Sequence, residues 1–144
     1  MSDNIIRLDL TLGYDHALGA FGEYFQALSR GQALASRCII CGRTWFPPHT
    51  HCPEDGGSCA AVELEGLGVV VAETRTRTRL PFTHYDQNVV FIFVALAGAD
   101  NATFGRLVNF TGEVATGQTV KLSGTDEPIG HPAQIAVFIP VENN

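Results

Sequence analysis

Cys38-Ile39-Ile40-Cys41-Gly42-Arg43-Thr44-Trp45-Phe46-Pro47-Pro48 is followed, after His49-Thr50-His51, by Cys52-Pro53-Glu54-Asp55-Gly56 and then Cys59. Every cysteine of the chain lies in this stretch. A C-x2-C turn aims two thiolates at one point, and a second knuckle reached by a short hairpin completes a tetrahedral site for Zn2+. Gly42 stands where such a knuckle wants a residue free of steric restriction. Thr44-Trp45-Phe46 reads as the outgoing strand, ended by Pro47-Pro48. The stretch therefore predicts a rubredoxin-like zinc ribbon over residues 33–60, with a structural metal. A redox role is poorly supported, because the C-x-x-C does not open a helix in a βαβ setting. A catalytic zinc would need an open coordination position beside a general base, and the sequence shows no such pairing.

Cys38, Cys41 and Cys52 are the firm ligands. The second knuckle is irregular, since a regular ribbon would carry cysteine at position 55 and this chain carries aspartate. Cys59, supplied by an extended loop, is the expected fourth ligand, because thiolates suit a closed structural zinc site. Asp55 is the alternative; His49 and His51 rank behind both.

On the N-terminal side, Ile6, Leu8, Leu10 and Leu12 alternate with Arg7, Asp9 and Thr11. This period of two predicts an extended segment, paired with the protein's own sheet or laid as an arm on a partner. The period changes over residues 16–30, where Ala17, Phe21, Tyr24, Phe25 and Leu28 share a helical face and Gly31 suits the C-terminal cap. Residues 1–32 are thus read as arm plus amphipathic helix. Phe21, Tyr24, Phe25, Trp45 and Phe46 are candidate partner-binding residues.

On the C-terminal side, residues 61–144 read as strands. Segments 69–78, 89–97, 103–110, 120–123 and 134–139 are strand-like, and Pro81, Gly98, Gly112, Gly117 and the run from Asp126 to Pro132 separate them. Five short strands without a crossover helix predict a small closed barrel of the OB-fold kind. Arg75, Arg77 and Arg79 alternate with threonines and project to one face. They are candidates for the phosphates of coenzyme A, for an acidic partner, or for a plain solvated face.

Composition narrows the function classes. The chain has 144 residues, 45% of them apolar, which is ample for one core with a small appendage. Its net charge of −6 speaks against a nucleic-acid partner, which would draw on a basic surface. No strand face reads as both basic and studded with aromatics, so a single-stranded nucleic-acid-binding OB-fold is the second reading. The longest apolar run, residues 89–98, is about half a bilayer span, and the first fifteen residues do not read as a signal peptide. A cytoplasmic protein without a membrane partner is expected, where clustered cysteines bind metal in preference to forming disulfides. The five histidines form no recognisable catalytic pairing, His84-Tyr85-Asp86 included. No cysteine outside the ribbon is free to carry an acyl group.

In its order of features the chain resembles the zinc-ribbon/OB-fold proteins of domain of unknown function 35, the acyl-CoA-associated OB-fold family. The resemblance rests on the aromatic helix from Phe21 to Leu28, Arg37-Cys38-x-x-Cys41-Gly42-Arg43, Phe46-Pro47-Pro48, Cys52-Pro53, Gly66-x-Gly68 and the strands that follow. It covers about residues 16–140, and its setting is most like the small zinc-containing component of bacterial phloroglucinol acetyltransferases. Asp55 in place of a cysteine, and His49 where an arginine usually follows the prolines, are departures. The resemblance implies a subunit that is not catalytic alone. It would act in a multicomponent thiolase-like acyltransferase forming C–C bonds, with a phenolic acceptor as one substrate class. Its partners would be thiolase-like and ketoacyl-synthase-like chains, its cofactor structural Zn2+, and acyl-CoA a further ligand.

Overall fold

The computed structural model describes residues 4–131 and 134–142; Met1, Ser2, Asp3, Pro132, Ala133, Asn143 and Asn144 lie outside the described residues. Ile5, Ile6, Leu8, Leu10, Leu12 and Tyr14 are all exposed, and residues 4–18 belong to no strand. The alternation of residues 6–12 therefore does not pair with the protein's own sheet. The segment makes no strand pairing among the described residues.

The helix is shorter than its period implied. A 3-10 turn, Gly19–Phe21, leads into α1, Gly22–Ser29. His16 and Ala17 are exposed, so no burial supports a first α-helical turn there. Tyr24, Ala27 and Leu28 form the buried stripe. The helix ends in a Schellman motif: the Gly31 N–H donates to Leu28 and the Gln32 N–H to Ala27, with Gly31 at φ +72.

Strands β1 (Ala33–Cys38), β2 (Thr44–Trp45) and β3 (Cys59–Leu64) form an antiparallel sheet in the order β2-β1-β3. β3 pairs with the whole of β1, from Ala33 opposite Leu64 to Cys38 opposite Cys59. The barrel follows: β4 (Leu67–Arg79), β5 (Asp86–Leu96), β6 (Ala102–Leu107), β7 (Thr119–Ser123) and β8 (Ala136–Pro140). It closes in the order β4-β5-β6-β8-β7, with β6 and β8 parallel and the other pairs antiparallel. This is the five-stranded barrel expected from the sequence. β6 stops short of the expected position 110, because Asn109 adopts φ +53 and leaves the extended region.

Alternation fixes which side chains fill the barrel. Val90, Ile92, Val94 and Leu96 of β5 point inward with Val70, Val120, Leu122 and Phe138. Phe91 and Phe93 lie on the opposite face of β5. The same core takes in Tyr24 and Leu28 of α1 and Phe46 after β2, so helix, ribbon and barrel share one apolar interior. Polar groups of the β5–β6 connection fasten the ribbon edge to the barrel. The Thr44 N–H donates to Asp100 Oδ2 at 2.8 Å. Asn101 accepts from the Phe46 N–H at 3.0 Å and donates to the Phe46 carbonyl at 2.8 Å.

Candidate metal centre

Two knuckles built alike carry the cluster. In the first, the Gly42 N–H donates to the Cys38 carbonyl at 3.1 Å; in the second, the Gly56 N–H donates to the Cys52 carbonyl at 2.9 Å. Both glycines adopt positive φ, +75 and +73, a conformation that side chains bearing a Cβ resist. Asp55 thus occupies in the second knuckle the place that Cys41 occupies in the first. One ligand atom from each of Cys38, Cys41, Cys52 and Asp55 lies within 4.8 Å of the other three.

The spacing suits a small tetrahedral ion. Zinc–sulfur bonds of ~2.3 Å place tetrahedral sulfurs about 3.8 Å apart. The Cys41 and Cys52 sulfurs are 3.7 Å apart, and the Cys38 sulfur is 3.4 Å from Asp55 Oδ1. Four residues, three of them soft thiols, make a set compatible with structural zinc and leave no position for a reactant. A bound ion would tie the two knuckles together, which is the chemistry it supplies.

The surrounding backbone prepares these groups for the anionic state. The Gly57 N–H donates to Asp55 Oδ1 at 2.8 Å, and this bond, outweighing desolvation, holds the carboxyl below its ordinary value with help from the cysteine thiols. Desolvation alone would raise Cys52, but the N–H groups of Glu54 and Asp55 and the Cys41 thiol bring it below the ordinary thiol value. Cys41 goes the other way. The Arg43 N–H favours its thiolate, yet desolvation and the bonds it makes to Asp55, Cys52 and Cys38 push it up to about 12. A divalent ion bound by these groups would displace the thiol protons.

Cys59, the fourth ligand expected from the sequence, is outside this group. Its sulfur lies 3.9 Å from the Gly57 carbonyl. Desolvation first, then the charges of Cys38 and Cys52, raise its pKa. Register explains the displacement: Cys59 already belongs to β3 opposite Cys38, whereas Asp55 sits in the knuckle itself. His49 and His51 are also outside it. The His49 N–H donates to Ser36 Oγ at 2.8 Å, and His51 bridges to Ser58.

The candidate partner residues divide. Phe46 is wholly buried and Tyr24 is 7% exposed, the two rings meeting edge to face at 5.9 Å. Neither is available to a partner, which corrects the sequence expectation; an apolar core reached from both helix and ribbon claims them. Phe21 is 40% exposed, and Phe25 and Trp45 are half-buried. Arg75, Arg77 and Arg79 are exposed on the part of β4 that pairs only with β5. Arg75 contacts Glu73 at 3.5 Å and Arg79 contacts Asp86 at 3.7 Å. Arg77 has no ion-pair partner among the described residues.

One feature escaped the sequence. Phe91 and Phe93 of β5 stand beside Phe104 of β6 on the outer barrel face, Phe91 and Phe104 stacked at 5.4 Å and Phe93 and Phe104 tilted at 5.6 Å. An aromatic strand face therefore does exist. The signal was the alternation inside residues 89–97, masked because both phases are apolar.

No helix among the described residues is long and apolar enough to cross a membrane. No protein-family model matches the chain, and no curated protein matches it. Solved structures do. One named "Ltp2-ChsH2(DUF35) aldolase" superposes with a TM-score of 0.61 at 24% identity, over 83% of this chain and 93% of that one. A protein of unknown function from the DUF35 family of Sulfolobus solfataricus gives a TM-score of 0.61 at 18% identity, over 85% of this chain and 87% of that one. Helix, cysteine-bearing ribbon and closed five-stranded barrel together are the fold of DUF35 proteins.

Proposed function

We propose that this chain is a DUF35-type accessory subunit, not catalytic alone, of a multicomponent thiolase-like acyltransferase. The observation that carries the reading is the arm. Six large apolar side chains between Ile5 and Tyr14 are 72% to 92% exposed. A segment in no strand of its own chain, with bare apolar side chains, is free to add to a partner's sheet or groove. The half-buried rings of Phe25 and Trp45 and the exposed Phe21 extend the docking surface.

The fold neighbour supports the same reading, since its printed name joins a DUF35 component to a second one, Ltp2, in an aldolase. The metal centre fits a structural part: its four ligands would stiffen the ribbon as Zn2+ binds and offer no vacant position. The partner chains, thiolase-like and ketoacyl-synthase-like, would contribute the nucleophile that carries the acyl group. Arg77, with Arg75 and Arg79, is the surface for coenzyme A phosphates, and the assembly works in the cytoplasm.

Reconstitution tests this. The full chain is expected to co-purify with a thiolase-like chain encoded beside it, and omission of this chain should abolish acyl transfer. Full assembly and turnover of the partners without it would overturn the reading. Steeply salt-dependent binding of single-stranded oligonucleotides would replace it with the OB-fold alternative.

A further inference from the structure

The register of the barrel places Phe91 opposite Arg106 and Phe93 opposite Phe104 on the outer face. Over that face runs the β7–β8 connection, which brings Glu127 onto Arg106 as an ion pair. The two side chains are 15% and 12% exposed, an unusual depth for charges on the outside of a barrel. They lie in the wall of a cavity of about 220 Å3 whose other lining includes Leu80, Phe82, Phe91 and Phe104. Arg106 and Glu127 supply the only polar side chains of that lining.

The pair is not self-sufficient. Glu127 Oε2 is buried with no hydrogen-bond partner, and Arg106 bonds Glu127 through Nη2 alone. A carboxylate oxygen left without a donor in a low-dielectric place is costly. Arg106 has further guanidinium N–H groups beyond the one that Glu127 takes. An apolar slot therefore carries one acceptor and one set of donors side by side, with no net charge. Its volume exceeds the roughly 150 Å3 in which a single benzene ring is held in an apolar cavity. Aromatic walls add stacking to this.

We propose that this cavity is a binding subsite for a neutral planar ring bearing a hydrogen-bond donor beside an acceptor, as in an aryl carboxamide or the edge of a nucleobase. The ring lies against Phe91 and Phe104; its carbonyl or ring nitrogen accepts from Arg106, and its N–H donates to Glu127. Charge neutrality of the pair gives the selectivity. A carboxylate on the ring would meet Glu127, and an amidinium would meet Arg106, so both are disfavoured against the neutral amide. The inference is independent of partner docking, since the arm and the ribbon take no part in it.

Chemical-shift titration of the metal-loaded full chain tests it, with benzamide and adenosine as the two neutral probes and benzoate and benzamidine as the charged ones. A ring of this size should bind with a Kd on the order of 1 mM. Expected are shifts of the Phe91, Phe104 and Arg106 side-chain signals by at least one neutral probe, with the charged analogues about tenfold weaker; the tighter of benzamide and adenosine assigns the source. Replacing the pair by Arg106→Met with Glu127→Leu keeps its bulk and removes an ion pair whose apolar substitutes are often neutral for folding. This double variant should lose benzamide about tenfold, and Phe104→Ala, at an exposed position, should weaken both probes. The proposal is overturned if neither probe shifts these signals at about 20 mM, if benzoate binds as well as benzamide, or if the variants bind as the wild type does. The ion pair would then be a latch for the β7–β8 connection and nothing more.

Discussion

The Cys38 thiol donates to the Asp55 carboxylate at 3.4 Å across a sequence separation of 17 residues, joining the two knuckles alongside the 3.7 Å contact of Cys41 with Cys52. Their geometric equivalence puts Asp55 among the groups positioned to hold a metal and leaves Cys59 outside them.

Metal retention should follow that division. Cys59→Ser is expected to keep the metal, whereas Asp55→Ala should weaken it by more than about 100-fold, beyond what loss of an outer-shell partner usually costs. Asp55→Cys should restore binding with four thiolates. Chelator competition on the three variants measures this, and equal retention in Asp55→Ala and wild type would refute the ligand assignment.

Tyr24 predicts an alkaline transition. Burial pushes its hydroxyl from an ordinary 10.0 up to about 12. The unfolded chain releases that proton first, so the stability contributed is complete below pH 10 and is lost as pH rises from about 10 to about 12. Two pH units amount to about 3 kcal/mol. Denaturation midpoints between pH 9 and pH 12 should fall less steeply in Tyr24→Phe than in the wild type.

Asn101 should matter more than an exposed loop residue usually does. Asn101→Ala strips a donor and an acceptor from the backbone of Phe46, which is otherwise wholly buried. A cost of about 1–3 kcal/mol follows from leaving these groups unpaired. Hydrogen exchange should show the loss first in β2, because Asn101 and Asp100 hold that strand's edge to the barrel.

Removal of residues 4–14 should leave the fold intact. The arm's large apolar side chains touch little of the chain that bears them, so the melting temperature should move by less than about 2 °C. Solubility of the isolated chain should rise, as an exposed apolar segment is lost. A cooperative loss of stability would instead place the arm in the core.

The metal ribbon and the barrel were legible in the residues because each rests on local rules. A C-x2-C-G knuckle is a backbone geometry, and short β-rich segments broken by glycine and proline can close into few architectures. The place of Asp55 in the cluster was legible only as an alternative: the glycine after Asp55 repeated the one after Cys41, but preference for thiolate favoured Cys59. That choice depends on register between β1 and β3, which is a property of paired strands. The arm's period of two cannot by itself say whether a partner edge exists, and the segment joins no strand of its own chain. The pairing of Arg106 with Glu127, the stacking of Phe91 on Phe104 and the clasp of Asn101 on Phe46 were decided by tertiary packing. Packing of strands and connections brings residues far apart in sequence together, and no local pattern records that distance.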